Sequence, residues 1–283
     1  MIRSYLFTPA HRESLVARAH QRGADTILLD LEDSVPCDQK QMARDGLAKA
    51  VALLASHKMP VIARVNADLG ECVRDLEAAI LSGIHTVMLP KVMGADHLRL
   101  IGDYLSILER QAKLPEGKTR LIALIETAEA LLDVPAIATA SSRLTALAFG
   151  TEDFSTDCGF PPSVTALQGP AQSLIFAAKA AGLQAIGLPG SIAEIDDMNA
   201  YLGCIELGRS IGFDGVMCIH PRQVDVVNRV FTPSDAEFEH AARVVETFDM
   251  AVRQGLGAVM LDGKMIDPPI VARAQAMLQS RRL

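Results

Sequence analysis

The chain has no surplus of positive charge: Lys plus Arg number 27 against 34 Asp plus Glu, a formal net charge of −7 over 283 residues. A nucleic-acid binder needs a basic footprint, so that class is set aside. No apolar run approaches the ~20 residues of a membrane helix, and no membrane partner is expected. The opening segment MIRSYLFTPAHRES has too short an apolar core for a signal peptide, so a cytoplasmic protein is expected. Cysteines are few, odd in number and widely spaced (Cys37, Cys72, Cys158, Cys204 and Cys218), with no C-x-x-C pair. Neither a disulfide framework nor a structural zinc site is expected from them, and they read as small core residues. No Gly-rich dinucleotide turn follows the first apolar run, which counts against an open nucleotide-binding sheet.

What is present is a large core. At 49% hydrophobic and 22% charged the chain fits neither disorder nor a coiled coil. The length suits two average domains or one α/β barrel, which takes ~250 residues. Short apolar runs at 4–7, 26–31, 61–65, 86–89, 120–125, 144–149, 183–188 and 215–219 alternate with helix-compatible stretches such as 12–21, 39–55 and 193–211. Several runs (TILLDL, TVMLP, LIALI) are apolar on consecutive positions, as in parallel strands buried on both faces. Eight strand–helix repeats predict a (β/α)8 TIM barrel over 1–230; an open doubly wound sheet is the alternative. Beyond Pro221 the pattern changes. Positions 233–254 read as a helix with Ser234 as N-cap and Glu237 three residues on, a capping box. A turn-rich strip, GLGAVMLDGKMIDPPIV, and a last helix to Leu283 complete a C-terminal helical extension over 231–283.

Barrel active sites lie at the carboxyl ends of the strands, and here those ends are charged. They carry Asp30, Glu32 and Asp33 after the second run, Arg64 and Asn66 after the third, and Lys91 after the fourth. Glu126 follows the fifth, Glu152 and Asp153 the sixth, and His220 the eighth. Charges are costly to bury unless paired or bound to metal, so the rim suits an anionic substrate held by a divalent ion. Glu126 and Asp153 are the metal candidates, because Mg2+ takes one or two carboxylates and keeps several waters. The competing reading is that either acid caps the helix it precedes. Glu32 and Asp33 are expected to support the ligands from behind or to pair with Arg64 and Lys91. Arg64 suits bidentate binding of a substrate carboxylate, or else a salt bridge to the acids after the second run. Lys91 as a Schiff-base lysine is disfavoured, since neighbouring acids keep its pKa high. His220 serves either the turn before Pro221 or catalysis. With the other six histidines away from strand ends, a zinc hydrolase is disfavoured. Met88 and Met217 read as core filling.

The segments RSYLFTPAHRES, ILLDLEDSV, ARVN, MLPKV, ALIETAEAL, FGTEDFSTDCG, GFDGVMCIHPRQVDVVNRVFTPS and LDGKMIDPPIVARAQ resemble, in the same order, the citrate lyase β-subunit-like proteins. These belong to the HpcH/HpaI aldolase superfamily, with malyl-CoA and citramalyl-CoA lyases as relatives. The resemblance spans essentially the whole chain. It implies a TIM barrel, a homotrimer or dimer of trimers, and Mg2+-dependent cleavage of a 3-hydroxyacyl thioester into a 2-oxo acid and an acyl thioester. It implies Glu126 and Asp153 as Mg2+ ligands, Arg64 on the substrate carboxylate, and Phe7 and Glu126 among the substrate contacts. It also implies Asp267, supplied by a neighbouring subunit, as the catalytic acid/base; read by itself, Asp267 is an ordinary turn acid.

Some positions depart from the resemblance. Ala10 replaces the usual Gly after the first-strand Pro, and Phe7 stands where some lyases carry Tyr. Ser14 replaces a basic residue that faces thioester phosphates in some relatives, although Arg12 is close by, and DCGFPPS lacks an Arg often found there. The acyl carrier therefore stays open between CoA, an acyl carrier protein and something smaller. Three other activities compete: a malyl-CoA-type thioesterase on the same scaffold, a carrier-dependent β subunit of a citrate lyase complex, and the Schiff-base aldolase.

Overall fold

Strands that are apolar on both faces must be covered on both faces, and the computed structural model, which describes residues 2–280, covers them. Eight parallel strands run in sequence: β1 (Ser4–Pro9), β2 (Thr26–Asp30), β3 (Val61–Arg64), β4 (Thr86–Leu89), β5 (Arg120–Ile125), β6 (Leu144–Phe149), β7 (Gln184–Ile186) and β8 (Val216–Cys218). Each pairs with its neighbour in chain order, and β8 returns to β1. The circle closes at a single bridge, where Gly187 N donates to Gly215 O at 2.9 Å. This is the expected (β/α)8 TIM barrel. The strands match the apolar runs to within one or two residues.

The helices on its outside are α1 (Glu13–Ala19), α2 (Lys40–Ser56), α3 (Leu69–Leu81), α4 (Ala95–Gln111), α5 (Ala128–Leu132), α6 (Val134–Ala138), α7 (Thr151–Cys158), α8 (Val164–Ala180), α9 (Met198–Ile211) and α10 (Pro221–Phe231). Alternation along each strand divides its side chains. Ile27 and Leu29, or Leu121, Ala123 and Ile125, face the helices. Leu28, Ile62, Met88, Ile122, Leu124, Ala146, Ala148 and Met217 fill the barrel interior. Met88 and Met217 are thus core residues, as expected. Of the cysteines, Cys72 and Cys218 are buried but Cys37 is exposed, so the core reading does not hold for Cys37.

Residues from Thr232 on form a second compact unit. Its helix α11 (Asp235–Arg253) begins with the expected capping box, Ser234 Oγ accepting from Glu237 N while Glu237 Oε2 accepts from Ser234 N. The strip read as turns is a β-hairpin, β9 (Val259–Leu261) with β10 (Lys264–Ile266). Its two-residue turn places Asp262 at φ 49° and Gly263 at φ 75°, the left-handed pair that a type I′ turn requires. Helix α12 (Pro268–Ser280) follows; positions 281–283 of the expected last helix lie outside the described residues. Ala241, Val244, Ile266, Val271 and Ala274 make this unit's own small core. No helix among the described residues is long and apolar enough to cross a membrane.

Candidate active site

The two-residue pleat that points Leu28, Ile62, Leu124 and Ala148 into the barrel also points the residue two positions on. Those residues are Asp30, Arg64, Glu126 and Gly150, and all four line one cavity of about 390 Å³ at the carboxyl ends of the strands. Arg64 is buried there with its fork engaged. Its Nε and Nη2 donate to Asp30 Oδ1 and Oδ2 at 2.7 and 2.9 Å. Its Nη1 lies 3.1 Å from Glu32 Oε2 and 3.4 Å from Asp33 Oδ2. The guanidinium also sits 4.7 Å over the ring of Phe7, a cation–π contact. Burial alone would raise the Asp30 carboxyl, but the hydrogen bonds and charge of Arg64 outweigh it and hold Asp30 below the ordinary carboxylate range. Burial wins at Glu32, whose pKa is raised with Asp33 adding repulsion against the pull of Arg64 and Lys91.

Glu126 does not cap the helix after it. Thr127 does, its side chain accepting from Ala130 N at 3.1 Å. The Glu126 carboxylate instead accepts from Lys91 N at 2.7 Å. Lys91 takes a left-handed backbone, φ 46°, an arrangement that costs a non-glycine residue free energy and clusters at functional sites. Here it aims an N–H at a buried acid. Opposite, Gly150 leaves room that no other residue would: a Cβ there would fall 2.5 Å from Glu126 Cγ and 2.7 Å from Oε1. Burial raises Glu126 to about 8, the nearby charges of Glu32 and Asp153 adding to it against the Lys91 N–H and Arg64.

Asp153 sits in the first turn of α7 with its side chain about 43% exposed, 3.8 Å from Lys91 Nζ. Lys91 Nζ also lies 3.2 Å from Glu32 and 3.8 Å from Asp33. Burial acts to lower the Lys91 pKa, but Glu32, Asp33 and Asp153 together raise it. A charged, ion-paired lysine is the opposite of what Schiff-base chemistry needs.

Five acids, Asp30, Glu32, Asp33, Glu126 and Asp153, thus face two cations, Arg64 and Lys91. Glu32 Oε2 is buried and has the Arg64 ion pair but accepts no hydrogen bond. That imbalance fits a divalent cation. Among the described residues no three acidic, His or Cys side chains form a ready-made metal cage, in keeping with an ion that keeps waters and takes few protein ligands.

Asp267 belongs to the second unit. It heads α12, its carbonyl accepting from Ile270 N and Val271 N at 3.1 Å. His220 turns its Nδ1 to Arg222 N at 3.2 Å, so the turn-locking reading describes its contacts. Two residues with a part in the site were given no role by the strand-end reading. Glu152 lines the cavity and ties down the segment after β7. Gln223 is fully buried and holds that same segment to the end of β8. Strand-end charge drew attention to Glu152 without a role, and a helix glutamine carries no sequence signal.

The fold and this mouth define a (β/α)8-barrel protein with an acidic site suited to a divalent cation and an anionic ligand. The chain belongs to the HpcH/HpaI aldolase/citrate lyase family, whose model matches residues 3–221. It is 35% identical to the citrate lyase subunit beta of Escherichia coli K12, over 99% of this chain and 93% of that one. It is 34% identical to a (3S)-malyl-CoA thioesterase of Cereibacter sphaeroides, over 98% and 93%. Among solved structures it is similar to the CitE protein of Mycobacterium tuberculosis in complex with magnesium, acetoacetate and coenzyme A. That match has a TM-score of 0.78 and 27% identity, covering 99% of this chain and 98% of that one.

Proposed function

We propose that the chain is a Mg2+-dependent carbon–carbon lyase. It would cleave a 3-hydroxyacyl thioester of the citryl, malyl or citramalyl type into a 2-oxo acid and an acyl thioester. The observation that carries this reading is Glu126: a buried strand-end carboxylate, spared from helix capping, with Gly150 cleared away beside it and burial pushing its pKa up to about 8. Glu126 and Asp153 would hold Mg2+, which when bound supplies a Lewis acid and a template for the oxygens of the 2-oxo-acid half. Glu32, Asp33 and Lys91 back these ligands and fix their orientation. Arg64 keeps its Asp30-facing edge fixed, and the substrate carboxylate would take Nη1 over from Glu32 and Asp33, with Phe7 beneath. The hydroxyl proton would pass to Asp267 of a neighbouring copy as the carbon–carbon bond breaks; the bond's electron pair stays on the acyl half, and an acyl-thioester enolate remains. Asp267 of a neighbouring copy in a homotrimer or hexamer would deliver the proton that enolate needs, and remove it in the synthetic direction. The thioester is carried on CoA or on an acyl carrier.

A malyl-CoA-type thioesterase is the second reading, favoured by the curated relative of that name. One incubation separates them: citryl-, malyl- and citramalyl-CoA with Mg2+, products resolved by mass. The lyase yields a 2-oxo acid and an intact acyl thioester. Free CoA with a hydroxy acid sinks the lyase in favour of the thioesterase. Turnover of free CoA esters by the isolated chain also removes dependence on a citrate lyase complex.

A further inference from the structure

The cavity has two unlike halves. One carries Arg64, Glu126 and the acids around them. The other is a wall of Leu124, Phe149, Ile192, Met217 and Ile219. Among the described residues lining the cavity Arg64 is the one cation; two of its three nitrogens are engaged by Asp30, and the third, Nη1, lies against Glu32 and Asp33 at its outer edge, where a substrate carboxylate would have to displace them. A single substrate carboxylate can be served there. A second would meet either the apolar wall or the carboxylate of Glu152, where an unpaired charge is strongly disfavoured.

The wall is also fixed in place. Ile192 lies on the connection between β7 and α9, and both of its backbone groups are pinned. Glu152 Oε1 accepts from Ile192 N at 3.1 Å and from Ser191 Oγ at 2.5 Å. Gln223 Nε2 donates to Ile192 O at 2.8 Å and to Glu194 O at 3.2 Å. The other end of the same amide, Gln223 Oε1, accepts from Ile219 N at 2.8 Å and His220 N at 3.1 Å. One fully buried side chain therefore sets the positions of Ile192 and Ile219 together, with all its polar atoms satisfied.

We propose that this wall, positioned by Gln223 and Glu152, is a specificity pocket for a small alkyl group on the 2-oxo-acid half. The enzyme would then handle a monocarboxylic 2-oxo acid with a methyl or ethyl side chain and reject one with a second carboxylate. The inference rests on the lyase reading and names the substrate class within it. The geometry selects by two effects of opposite sign: a methyl gains the apolar contacts that hydrogen lacks, and a carboxymethyl brings an unpaired charge to the same spot.

Calorimetric titration of the full chain with Mg2+ and, in turn, glyoxylate, pyruvate, 2-oxobutyrate and fresh oxaloacetate tests it. Pyruvate or 2-oxobutyrate should bind about ten-fold or more tighter than both glyoxylate and oxaloacetate. Oxaloacetate binding as tightly as pyruvate overturns the alkyl pocket while leaving the lyase standing. Failure of all four acids to bind overturns the lyase reading and this inference with it. Ile219 is 45% exposed, so Ile219→Arg leaves the core intact and places a cation on the wall. It should shift the oxaloacetate-to-pyruvate affinity ratio about ten-fold towards oxaloacetate, and an unchanged ratio at parental Mg2+ affinity overturns the proposal. Gln223→Glu keeps the shape but loses both donors to Ile192 and Glu194. A positioning role predicts a collapsed preference between the two acids; a preference kept intact contradicts it.

Discussion

Glu126 owes its position to two neighbours that do no chemistry, the backbone N–H of Lys91 and the missing side chain of Gly150. Gly150→Ala therefore tests the site without touching a ligand. The new methyl meets Cγ, which lies too near the backbone to swing clear, so the whole Glu126 side chain must turn and give up the Lys91 N–H. Mg2+ affinity should fall about 10–100-fold, as for loss of a group that orients a metal ligand, with about 1–3 kcal/mol of stability lost to overpacking. Calorimetric Mg2+ titration beside thermal unfolding checks both, and parental Mg2+ affinity would show that the cradle is irrelevant. Asp30, Arg64, Glu126 and Asp153 were legible in sequence because charge at the end of a buried strand has few cheap explanations. The left-handed Lys91, the role of Gly150 and the two-ended grip of Gln223 were not. Each depends on a close approach between segments far apart in the chain, which no local pattern encodes.

The elements obey a simple local rule, and the ion pairs that lock them do not. Runs such as TILLD and LIALI read as strands because a two-sided burial needs consecutive apolar residues, and they emerged nearly to the residue. The β9–β10 hairpin was lost because each strand is only three residues long, too short to show a two-residue alternation; its Asp-Gly turn was the available signal. The lock below α4 was equally silent. Glu109, with no side-chain exposure, accepts from Arg143 Nη1 and Nη2, both at 2.9 Å, from Thr119 N at 2.5 Å and from Gly117 N at 2.8 Å. It joins α4 to the segments entering β5 and β6. Burial would raise its pKa, but Arg143 and the two backbone donors overcome that and lower it to about 2. A carboxylate whose pKa is depressed on folding contributes stability that is complete above its ordinary value near 4.5. That stability is lost as pH falls through that value towards 2. Glu109→Gln should cost about 3–5 kcal/mol at pH 6, since it leaves Arg143 buried without its partner charge. Denaturant unfolding at stepped pH should show the gap to the parent narrowing below pH 4.5, and a gap independent of pH would discharge Glu109 from this role.

At the scale of the whole molecule the question is whether one chain makes one site. Asp267 lies in the second unit, at the head of α12, where an Asn would cap the helix as well as an Asp does. Asp267→Asn therefore removes the proposed proton-transfer group while sparing the helix, and turnover should fall about 10²–10⁴-fold with Mg2+ binding retained. Glu126→Gln, in the barrel, should be inactive for a different reason, having lost a proposed metal ligand. If the acid of each site comes from a neighbouring copy, the two defects are separable in a mixed oligomer. A head-to-tail ring pairs the barrel of one copy with the C-terminal unit of the next, so random co-assembly in equal amounts leaves about a quarter of the sites with both parts intact. Co-expression of the two variants under different tags, followed by tandem purification of the mixed species, should then recover roughly a third of parental turnover for a trimer, in which every mixed ring holds one intact site of three, and roughly a quarter for a dimer of trimers. A site built within a single chain recovers nothing, because every copy carries one of the two lesions. Restored activity can arise only where Glu126 of one copy and Asp267 of another serve the same substrate, so the experiment reads the architecture of the site directly from its rate.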